Sequence, residues 1–373
     1  MPEVADIFRL HAQAYRERFG QKLLPSHRKA LDDIERCRTP YFGGHVYSCP
    51  HCGREHYSDH SCQNRHCPNC QHERTERWLE HQRSRMLPCP YFLITATLPQ
   101  ELRSLARSHQ KALYAILIQS AAAAIRKLAL DPATLGATPA LLGVLHTWTR
   151  ALTYHPHVHF LVSAGGLDDE QRWIDSKRPH FPLPARPLSL IFRAKFCDAL
   201  RRHGLLEETP PQVWKKNWVV HCQHAGSGET VLSYLARYIY RIAIRNHRIE
   251  NIDNGQVTFH YRDNKTQIFK RITLSAQDFI SRFLQHVLPR GFTKVRSYGL
   301  WSPSSASKLE AARAQLLPPS PTRGKEPDPA DPTSTGSAAS SSLLAHPRPR
   351  LCPYCHQGPV LLTSTIPRRA RAP

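Results

Sequence analysis

Two Cys-x-x-Cys motifs close to the N-terminus constrain this chain more than any other feature. They are Cys49-Pro-His-Cys52 and Cys67-Pro-Asn-Cys70, and the loop 53–66 separates them. This spacing is typical of a tetrahedral four-thiolate zinc site. Thiolates suit zinc because the ion is borderline soft and performs no redox chemistry. The sequence therefore predicts one structural Zn²⁺ site with four ligands: Cys49, Cys52, Cys67 and Cys70.

Further thiols and imidazoles leave alternatives to this ligand set. Cys62 and His66 lie in the same loop, so ligand exchange or a second ion is one alternative, and a free thiol with solvated histidines is the simpler interpretation. Near the C-terminus, Cys352-Pro-Tyr-Cys355 is half a zinc site with no second motif close in sequence. It either completes a site with Cys62 or His66 or is a degenerate remnant, and we favour the remnant.

The charge of the chain favours nucleic acid as its partner. The 51 Lys and Arg residues exceed the 29 Asp and Glu residues, which gives a formal net charge of +22 and attracts polyanions. A membrane surface would require an amphipathic basic helix or a lipid anchor, and the sequence carries no lipidation motif. Met1–Leu10 lacks the layout of a signal peptide, and no apolar run approaches the roughly 20 residues that span a bilayer. We therefore expect a soluble, intracellular protein without membrane association.

The composition divides the 373 residues into three regions. We predict a helical and zinc-binding N-terminal domain at 1–88, a second domain at 89–302 and a Pro- and Ser-rich disordered tail at 303–373.

Within the second domain, apolar and β-branched runs predict strands at 91–98, 143–148, 157–162 and 213–222. Helices are predicted at 100–130 and 230–245, and a hairpin from 257–261 and 269–274 with Asp263-Asn264 at its turn. Strands and helices without strict βαβ alternation predict an α+β fold, with a sheet that carries helices on its faces.

The segment Tyr154-His-Pro-His-Val-His-Phe160 predicts a metal site on a strand. Side chains alternate across a strand, so His157 and His159 face one way while Val158 packs inward. Two histidines at this spacing also arise by chance in a chain with 23 of them. His146 strengthens the interpretation, because a short connection between the two strands brings it opposite the pair. Pro156 interrupts the strand next to His155, so we rank His155 behind His146 as the third ligand.

The segment 233–245 predicts a helix with two stripes. Its apolar stripe is Leu235, Ile239 and Ile242, and its polar stripe is Tyr234, Tyr238, Arg241 and Arg245. Aromatic residues at such spacing more often belong to a core. However, two phenols one turn apart beside guanidinium groups suit attack on a phosphodiester. A phenol has a pKa near 10, so a divalent ion must polarise the phosphate, and the histidines supply its ligands.

Taken together, these motifs resemble the two-tyrosine rolling-circle transposases of the HUH superfamily, of the insertion-sequence ninety-one type. The resemblance extends from about Ile7 to Trp301. Its marks are Cys37-Arg-Thr, Gly43-Gly-His45, the block 61–71, Thr97-Leu-Pro99, Leu145-His-Thr-Trp148, His155-Pro-His-Val-His159, Tyr234-Leu-Ala-Arg-Tyr238, the stretch 283–292 and Tyr298-Gly299. Many relatives carry a histidine where this chain has Leu93, so any role of that histidine is absent here.

The resemblance implies an HUH endonuclease fold, in which a central antiparallel sheet carries the histidines and a nearby helix carries the tyrosines. It implies that Tyr234 and Tyr238 attack DNA to give a 5′-phosphotyrosine and a free 3′-hydroxyl, with Mg²⁺ or Mn²⁺ held by His157, His159 and His146. Single-stranded DNA and transposon-end DNA are the expected partners. The arginines expected to bind DNA are Arg65, Arg74, Arg237, Arg241 and Arg245.

Two other function classes compete with a transposase. A plasmid replication initiator or relaxase uses the same nuclease core, but the zinc block and the Leu-Pro-Arg-Gly-Phe stretch of 288–292 argue against it. An inactive, zinc-dependent DNA-binding relative is opposed by the retained histidines and tyrosines. A recombinase with three catalytic carboxylates is disfavoured, because acidic residues are sparse near the predicted centre.

Overall fold

Two amphipathic helices open the chain, as its N-terminal pattern of apolar and basic residues predicts. The computed structural model describes residues 1–70, 72–176, 183–227, 243–263, 266–317 and 351–369. Helix α1 spans Val4–Phe19 and α2 spans Pro25–Glu35. Asp6 caps α1, because its carboxylate accepts a hydrogen bond from the backbone N–H of Glu3 at 2.8 Å. The predicted helical N-terminus is confirmed.

Strands and helices then follow one another without strict alternation. Further helices are α3 (His72–Arg83), α4 (Arg103–Ser108), α5 (Gln110–Ala129), α6 (Ala185–Arg202), α7 (Ala276–Leu284) and α8 (Ala306–Leu316). The strands are β1 (Gly44–Ser48), β2 (Glu55–Asp59), β3 (Pro90–Thr97), β4 (Thr138–Trp148), β5 (Tyr154–Leu167), β6 (Trp173–Asp175), β7 (Val220–Ser227), β8 (Ile249–Asp253), β9 (Gln256–Arg262), β10 (Phe269–Ser275), β11 (Val295–Gly299) and β12 (Leu361–Ile366). The α+β class predicted from the sequence is confirmed.

An antiparallel sheet forms the centre of the larger compact unit, which comprises Met1–Cys37 and Cys62–Leu317. Its strand order is β11-β4-β5-β3-β7, and β6 pairs with β5. The strands predicted at 91–98, 143–148 and 157–162 coincide with parts of β3, β4 and β5. Their β-branched, apolar runs identified them because both faces of these strands are largely buried.

The two faces of this sheet pack into different apolar cores. One face carries Ile94, Val158 and Phe160, which belong to a core that includes residues of α5 and α6. The opposite face carries Leu142, which packs in a second core with Trp301. The inward position predicted for Val158 is confirmed, and the histidines that flank it along β5 lie on the opposite face.

Helix α5 is long and apolar enough to cross a membrane by length and composition. It has 20 residues, and 67% of its most apolar window is buried inside this fold. Ile116, Leu117 and Ala121 are buried in the first core. The expectation that no apolar run approaches membrane-spanning length was therefore wrong, and packing against α6 and the central sheet accounts for the apolar character of α5.

A second sheet, in the order β10-β9-β8, precedes α7. The predicted hairpin is confirmed, since β9 and β10 pair antiparallel from Arg262 opposite Phe269 to Gln256 opposite Ser275. Ser275 caps α7 by accepting a hydrogen bond from the backbone N–H of Asp278 at 3.1 Å.

The smaller compact unit comprises Arg38–Ser61 and Pro318–Pro373. Its sheet has the order β12-β1-β2, so a strand from the C-terminal region pairs with the hairpin of β1 and β2. These two units differ from the predicted boundaries at residues 88 and 302. Within the region predicted as a tail, 303–373, the described residues include α8 and β12, and residues 318–350 lie outside the described residues.

Two further predictions had different outcomes. The strand predicted at 213–222 begins only at Val220, because Pro210 and Pro211 lack backbone N–H groups and a short 3₁₀ helix spans Pro211–Lys215. Of the helix predicted at 230–245, residues 230–242 lie outside the described residues.

Candidate metal centres

Three imidazoles meet on the face of the central sheet opposite Val158. His146 on β4 lies directly opposite His157 on β5, and His159 follows two residues later on the same face. The candidate ligand nitrogens of the three residues all lie within 4.8 Å of one another. Antiparallel pairing brings them together, because cross-strand neighbours project to the same side of a sheet. The arrangement has the donor set of a three-histidine metal site.

Hydrogen bonds orient two of these rings. Nδ1 of His157 lies 2.7 Å from the carbonyl oxygen of His155. A carbonyl only accepts, so Nδ1 of His157 donates the proton, and Nε2 is the nitrogen that carries the lone pair for a metal ion. Nδ1 of His159 lies 2.9 Å from Oγ1 of Thr95 on β3. Such partners of ligand histidines fix the ring orientation that a metal requires.

Burial and aromatic contacts hold the third ring. His146 is only 2% exposed, and its ring stacks on Trp148 with centroids 4.8 Å apart and an interplanar angle of 22°. Nζ of Lys294 lies over the ring of Trp148, 5.0 Å from its centroid. The stack gives His146 a fixed position and places a cation beside the site.

His155 is a neighbour of this group, with its ring centroid 5.2 Å from that of His157, but it is not one of the three residues whose ligand nitrogens come together. Nη2 of Arg103 donates to Nδ1 of His155 at 2.6 Å. Burial, aided by the charge of Arg103, lowers the pKa of His155. The ring of His155 therefore accepts a hydrogen bond from a guanidinium. The third histidine grouped with His157 and His159 is His146.

A buried histidine that the sequence analysis did not single out lies behind this site. His286 follows α7, and its ring lies 6.0 Å from Trp148 and 6.4 Å from Tyr154, centroid to centroid. Burial lowers the pKa of His286 to about 4, so the ring is neutral near pH 7. The sequence signal for a buried position of His286 is its place among the apolar residues of 283–292.

Tyr234 and Tyr238, together with Arg237 and Arg241, lie outside the described residues. Of the predicted polar stripe, Arg245 is among the described residues, and it is exposed. The two residues before it, Ala243 and Ile244, are buried.

Four cysteines of the larger unit form what we call the first thiolate cluster: Cys37, Cys62, Cys67 and Cys70. Sγ of Cys70 lies 3.4 Å from Sγ of Cys37 and 3.4 Å from Sγ of Cys62, and Sγ of Cys67 lies 3.5 Å from Sγ of Cys37. These distances are far longer than a disulfide bond of about 2 Å. They are close to the edge of a tetrahedron of sulfurs around zinc, which is about 3.8 Å for Zn–S bonds of about 2.3 Å.

The chemistry of this cluster suits a divalent cation. The neighbouring thiols of Cys37, Cys62 and Cys70 raise the pKa of Cys67, because thiolates packed this closely repel one another. A bound divalent ion removes that repulsion and holds all four groups deprotonated.

A second set of four cysteines lies in the smaller unit, and we call it the second thiolate cluster: Cys49, Cys52, Cys352 and Cys355. Sγ of Cys49 lies 3.7 Å from Sγ of Cys355, and Sγ of Cys52 lies 3.7 Å from Sγ of Cys352.

The structure thus corrects the predicted pairing of cysteines. The four ligands predicted for one zinc site are divided between two clusters, two in each. Sequence spacing suggested the wrong partners because Cys37 has no Cys-x-x-Cys signature and Cys352 is 300 residues from Cys52. The C-terminal motif, which we interpreted as a remnant without a nearby second motif, lies beside Cys49 and Cys52.

His66, the alternative ligand in the same loop, has another role. It is partly buried, and burial together with the charge of Arg65 lowers its pKa well below the ordinary value. Its Nε2 accepts a hydrogen bond from the backbone N–H of Leu288 at 3.3 Å.

Arg65 and Arg74 are two of the arginines that the sequence predicts to bind DNA. The guanidinium of Arg65 donates to the carbonyl oxygens of Phe292 at 2.6 Å and Pro289 at 3.0 Å. The side chain of Arg74 lies outside the described residues. Arg65 therefore anchors its loop to the segment that follows α7.

Comparison with known proteins gives matches across most of the chain. A family model described as “Transposase zinc-binding domain” matches residues 7–98, and one described as “Putative transposase” matches residues 141–308. The first thiolate cluster lies wholly within the former range, which supports structural zinc in this region.

Two relatives extend these matches. The chain is 35% identical over 382 residues to “Putative transposase y4qJ” of Sinorhizobium fredii, covering 96% of this chain and 94% of that protein. It is 29% identical over 284 residues to “Transposase for insertion sequence element IS801” of Pseudomonas savastanoi pv. phaseolicola, covering 70% of this chain and 67% of that protein. No solved structure matches the chain.

Proposed function

Because the chain belongs to the insertion-sequence ninety-one family of transposases and carries an N-terminal transposase zinc-binding domain, we propose that it cuts and rejoins single-stranded DNA at transposon ends through Tyr234 and Tyr238. It acts by rolling-circle transposition in the bacterial cytoplasm, and it uses a fold of the HUH endonuclease class.

The three-histidine group carries this proposal. An antiparallel sheet that bears His157 and His159 on one strand, with His146 on the neighbouring strand, is what an HUH endonuclease requires. These three histidines would hold Mg²⁺ or Mn²⁺, and the ion would supply Lewis-acid chemistry by polarising the scissile phosphate. Imidazole nitrogen is a poor ligand for magnesium, so of these two ions the donor set favours manganese.

The protein's own groups perform the cleavage. The phenol oxygen of one tyrosine attacks phosphorus, the bond from phosphorus to the 3′ oxygen breaks, and the phenol proton passes to that oxygen. The products are a 5′-phosphotyrosine and a free 3′-hydroxyl. Attack of a 3′-hydroxyl on the phosphotyrosine reverses these bond changes and joins strands without nucleotide hydrolysis. The second tyrosine permits two strands to be held before they are exchanged.

The surroundings of the histidines suit a DNA strand. Lys294, whose Nζ lies over the partly exposed indole of Trp148, supplies positive charge beside the histidines with which a phosphate of the strand can pair. Such a contact tolerates many sequences, so we assign to it the positioning of the strand and not the choice of the transposon end.

A strand-polarity assay tests this proposal. Purified protein is incubated with single-stranded oligonucleotides from the element's ends, labelled at either the 5′ or the 3′ terminus, with Mn²⁺ or with a chelator. We expect a covalent adduct that forms only with Mn²⁺ and retains only the 3′ label, because the protein holds the 5′-phosphate of the downstream fragment. An adduct that survives Tyr234→Phe combined with Tyr238→Phe, or one that retains the 5′ label, contradicts it.

A further inference from the structure

We propose that the second thiolate cluster binds a second structural zinc ion, and that this ion joins the two ends of the chain into one zinc ribbon. Its ligands are Cys49, Cys52, Cys352 and Cys355. The matched zinc-binding domain ends at residue 98, so the C-terminal pair of ligands lies far beyond it. The proposal rests on the geometry of the smaller unit and is independent of the cleavage chemistry.

The sulfur positions fit a tetrahedral ion. The two measured Sγ–Sγ distances of 3.7 Å join one cysteine of the N-terminal motif to one of the C-terminal motif. They match the edge of about 3.8 Å expected for four sulfurs around zinc. All four thiols are free of disulfide bonds.

The two motifs fold into the same backbone turn. In the first, the N–H of Gly53 donates to the carbonyl oxygen of Cys49 at 2.8 Å, and Gly53 has a φ of +71°. In the second, the N–H of His356 donates to the carbonyl oxygen of Cys352 at 3.0 Å, and His356 has a φ of +56°. A non-glycine residue rarely adopts this left-handed conformation unless the surrounding structure fixes it.

Each motif therefore forms a knuckle that presents two sulfurs to a common point. The turn at His356 is the more informative, because a remnant released from any ligand role has no reason to keep a left-handed histidine. In both knuckles the first cysteine is followed by proline, which fixes the start of the turn.

The sheet of the smaller unit supports the same arrangement. Strands β1 and β2 flank the first knuckle, and β12 follows the second. β12 pairs with β1 from Gly44 opposite Ile366 to Ser48 opposite Leu361, a register that ends beside Cys49. The guanidinium of Arg54 lies over the ring of Tyr354, 5.2 Å from its centroid, and ties one knuckle to the other.

A consequence follows for the folding of the chain. Because Cys52 and Cys352 are 300 residues apart, the N-terminal knuckle lacks half of its ligands until the C-terminal region has been synthesised. Zinc then closes a very long loop, and its binding free energy stabilises only the complete chain.

Native mass spectrometry of the full-length, zinc-loaded protein tests the proposal. The variant Cys352→Ser with Cys355→Ser should carry one zinc ion fewer per chain than wild type, whereas Cys197→Ser, which alters a thiol outside both clusters, should keep the wild-type number. Because wild type and variant are compared, an ion held by the three histidines does not affect the difference. An unchanged zinc number in the double variant overturns the proposal.

Alkylation of the unaltered protein provides a test that does not depend on how the variant folds. Cys52 is an exposed residue and Cys355 is partly exposed, as is Cys197. With zinc bound, N-ethylmaleimide should modify Cys52 and Cys355 more slowly than Cys197 by on the order of tenfold or more, and a chelator should abolish that protection. Modification at the rate of Cys197 in the zinc-loaded chain overturns the proposal, and so does protection that the chelator does not remove.

Discussion

His146 lies directly opposite His157 in the pairing of β4 with β5, and the centroids of their rings are 5.5 Å apart with an interplanar angle of 89°. Edge-to-face rings direct nitrogens towards a shared point without stacking against each other. His159, whose ring centroid is 4.8 Å from those of both His146 and His157, completes the group. The proposed metal-binding role of this group predicts the effects of replacing His146 and Thr95.

Replacement of His146 should remove a metal ligand. We expect His146→Ala to lower the rate of Mn²⁺-dependent cleavage of single-stranded DNA by about 100-fold or more. His155→Ala is the matched control, since His155 lies on the same strand as His157 but bonds to Arg103, and it should have a much smaller effect. The opposite order of the two effects would show that His155 is the third ligand.

Replacement of Thr95 should disturb the orientation of His159 without removing a ligand. Thr95→Val keeps the shape of the side chain but cannot form the 2.9 Å hydrogen bond to Nδ1 of His159. We expect the Mn²⁺ concentration needed for half-maximal cleavage to rise about tenfold. Thr97→Val, at the position opposite His157 on β3, is the control; an equal rise in both variants would assign the effect to the strand and not to the hydrogen bond.

Arg65 and Arg245 should behave differently, although the sequence predicts DNA binding for both. Arg65→Gln removes hydrogen bonds to the carbonyl oxygens of Pro289 and Phe292, so we expect a loss of about 1–3 kcal/mol in the free energy of unfolding. Exposed Arg245 should contribute to DNA binding, so Arg245→Gln should reduce the slope of log affinity against log salt by about one.

Urea titration and salt-dependent binding to a single-stranded oligonucleotide measure these two effects. If Arg65→Gln reduces the salt slope and leaves unfolding unchanged, Arg65 contacts phosphate in solution and the anchoring role is incorrect.

His286 should make the stability of the fold depend on pH. Burial lowers its pKa to about 4 from an ordinary value of 6.5, so the folded chain favours the neutral ring. This contribution to stability is complete above about pH 6.5 and is lost as the pH falls towards 4, where the unfolded chain binds the proton first. Between these limits it amounts to about 3 kcal/mol.

The free energy of unfolding measured from pH 7 to pH 4 tests this contribution. His286→Asn should show a shallower decrease than wild type, although some decrease remains because burial also lowers the pKa values of His27 and His66. Parallel curves for wild type and variant would contradict the assignment.

Local patterns in the sequence predicted much of the fold. The β-branched runs of 91–98 and 157–162 form interior strands of the central sheet, because each has a neighbouring strand on both sides. An apolar core covers each face of the sheet, and β-branched and apolar side chains suit such positions. The three histidines could be grouped because two of them share a strand and the third lies on the next strand along the chain. In both cases the relevant neighbours are close in sequence.

The parts that could not be predicted depend on partners far apart in the chain. Nothing near Cys352 indicates that its partner is Cys52, and the spacing of Cys67 from Cys52 gave a plausible but incorrect alternative. The strand β12 was missed for the same reason, because its exposed sequence Leu361–Ile366 is stabilised by pairing with β1. The hydrogen bonds from Arg65 to the carbonyl oxygens of Phe292 and Pro289 illustrate that a basic residue in a loop can anchor the fold as readily as bind DNA.

The most direct measurement of the central claim is the identity of the residue that becomes covalently attached to DNA. The protein is incubated with a single-stranded transposon-end oligonucleotide and Mn²⁺, the DNA is digested to a residual nucleotide, and peptides are sequenced by tandem mass spectrometry. The account predicts a nucleotide phosphate on Tyr234 or Tyr238, absent when His157 and His159 are both replaced by alanine. Attachment to any other residue, or attachment that persists in the histidine variant, would contradict it.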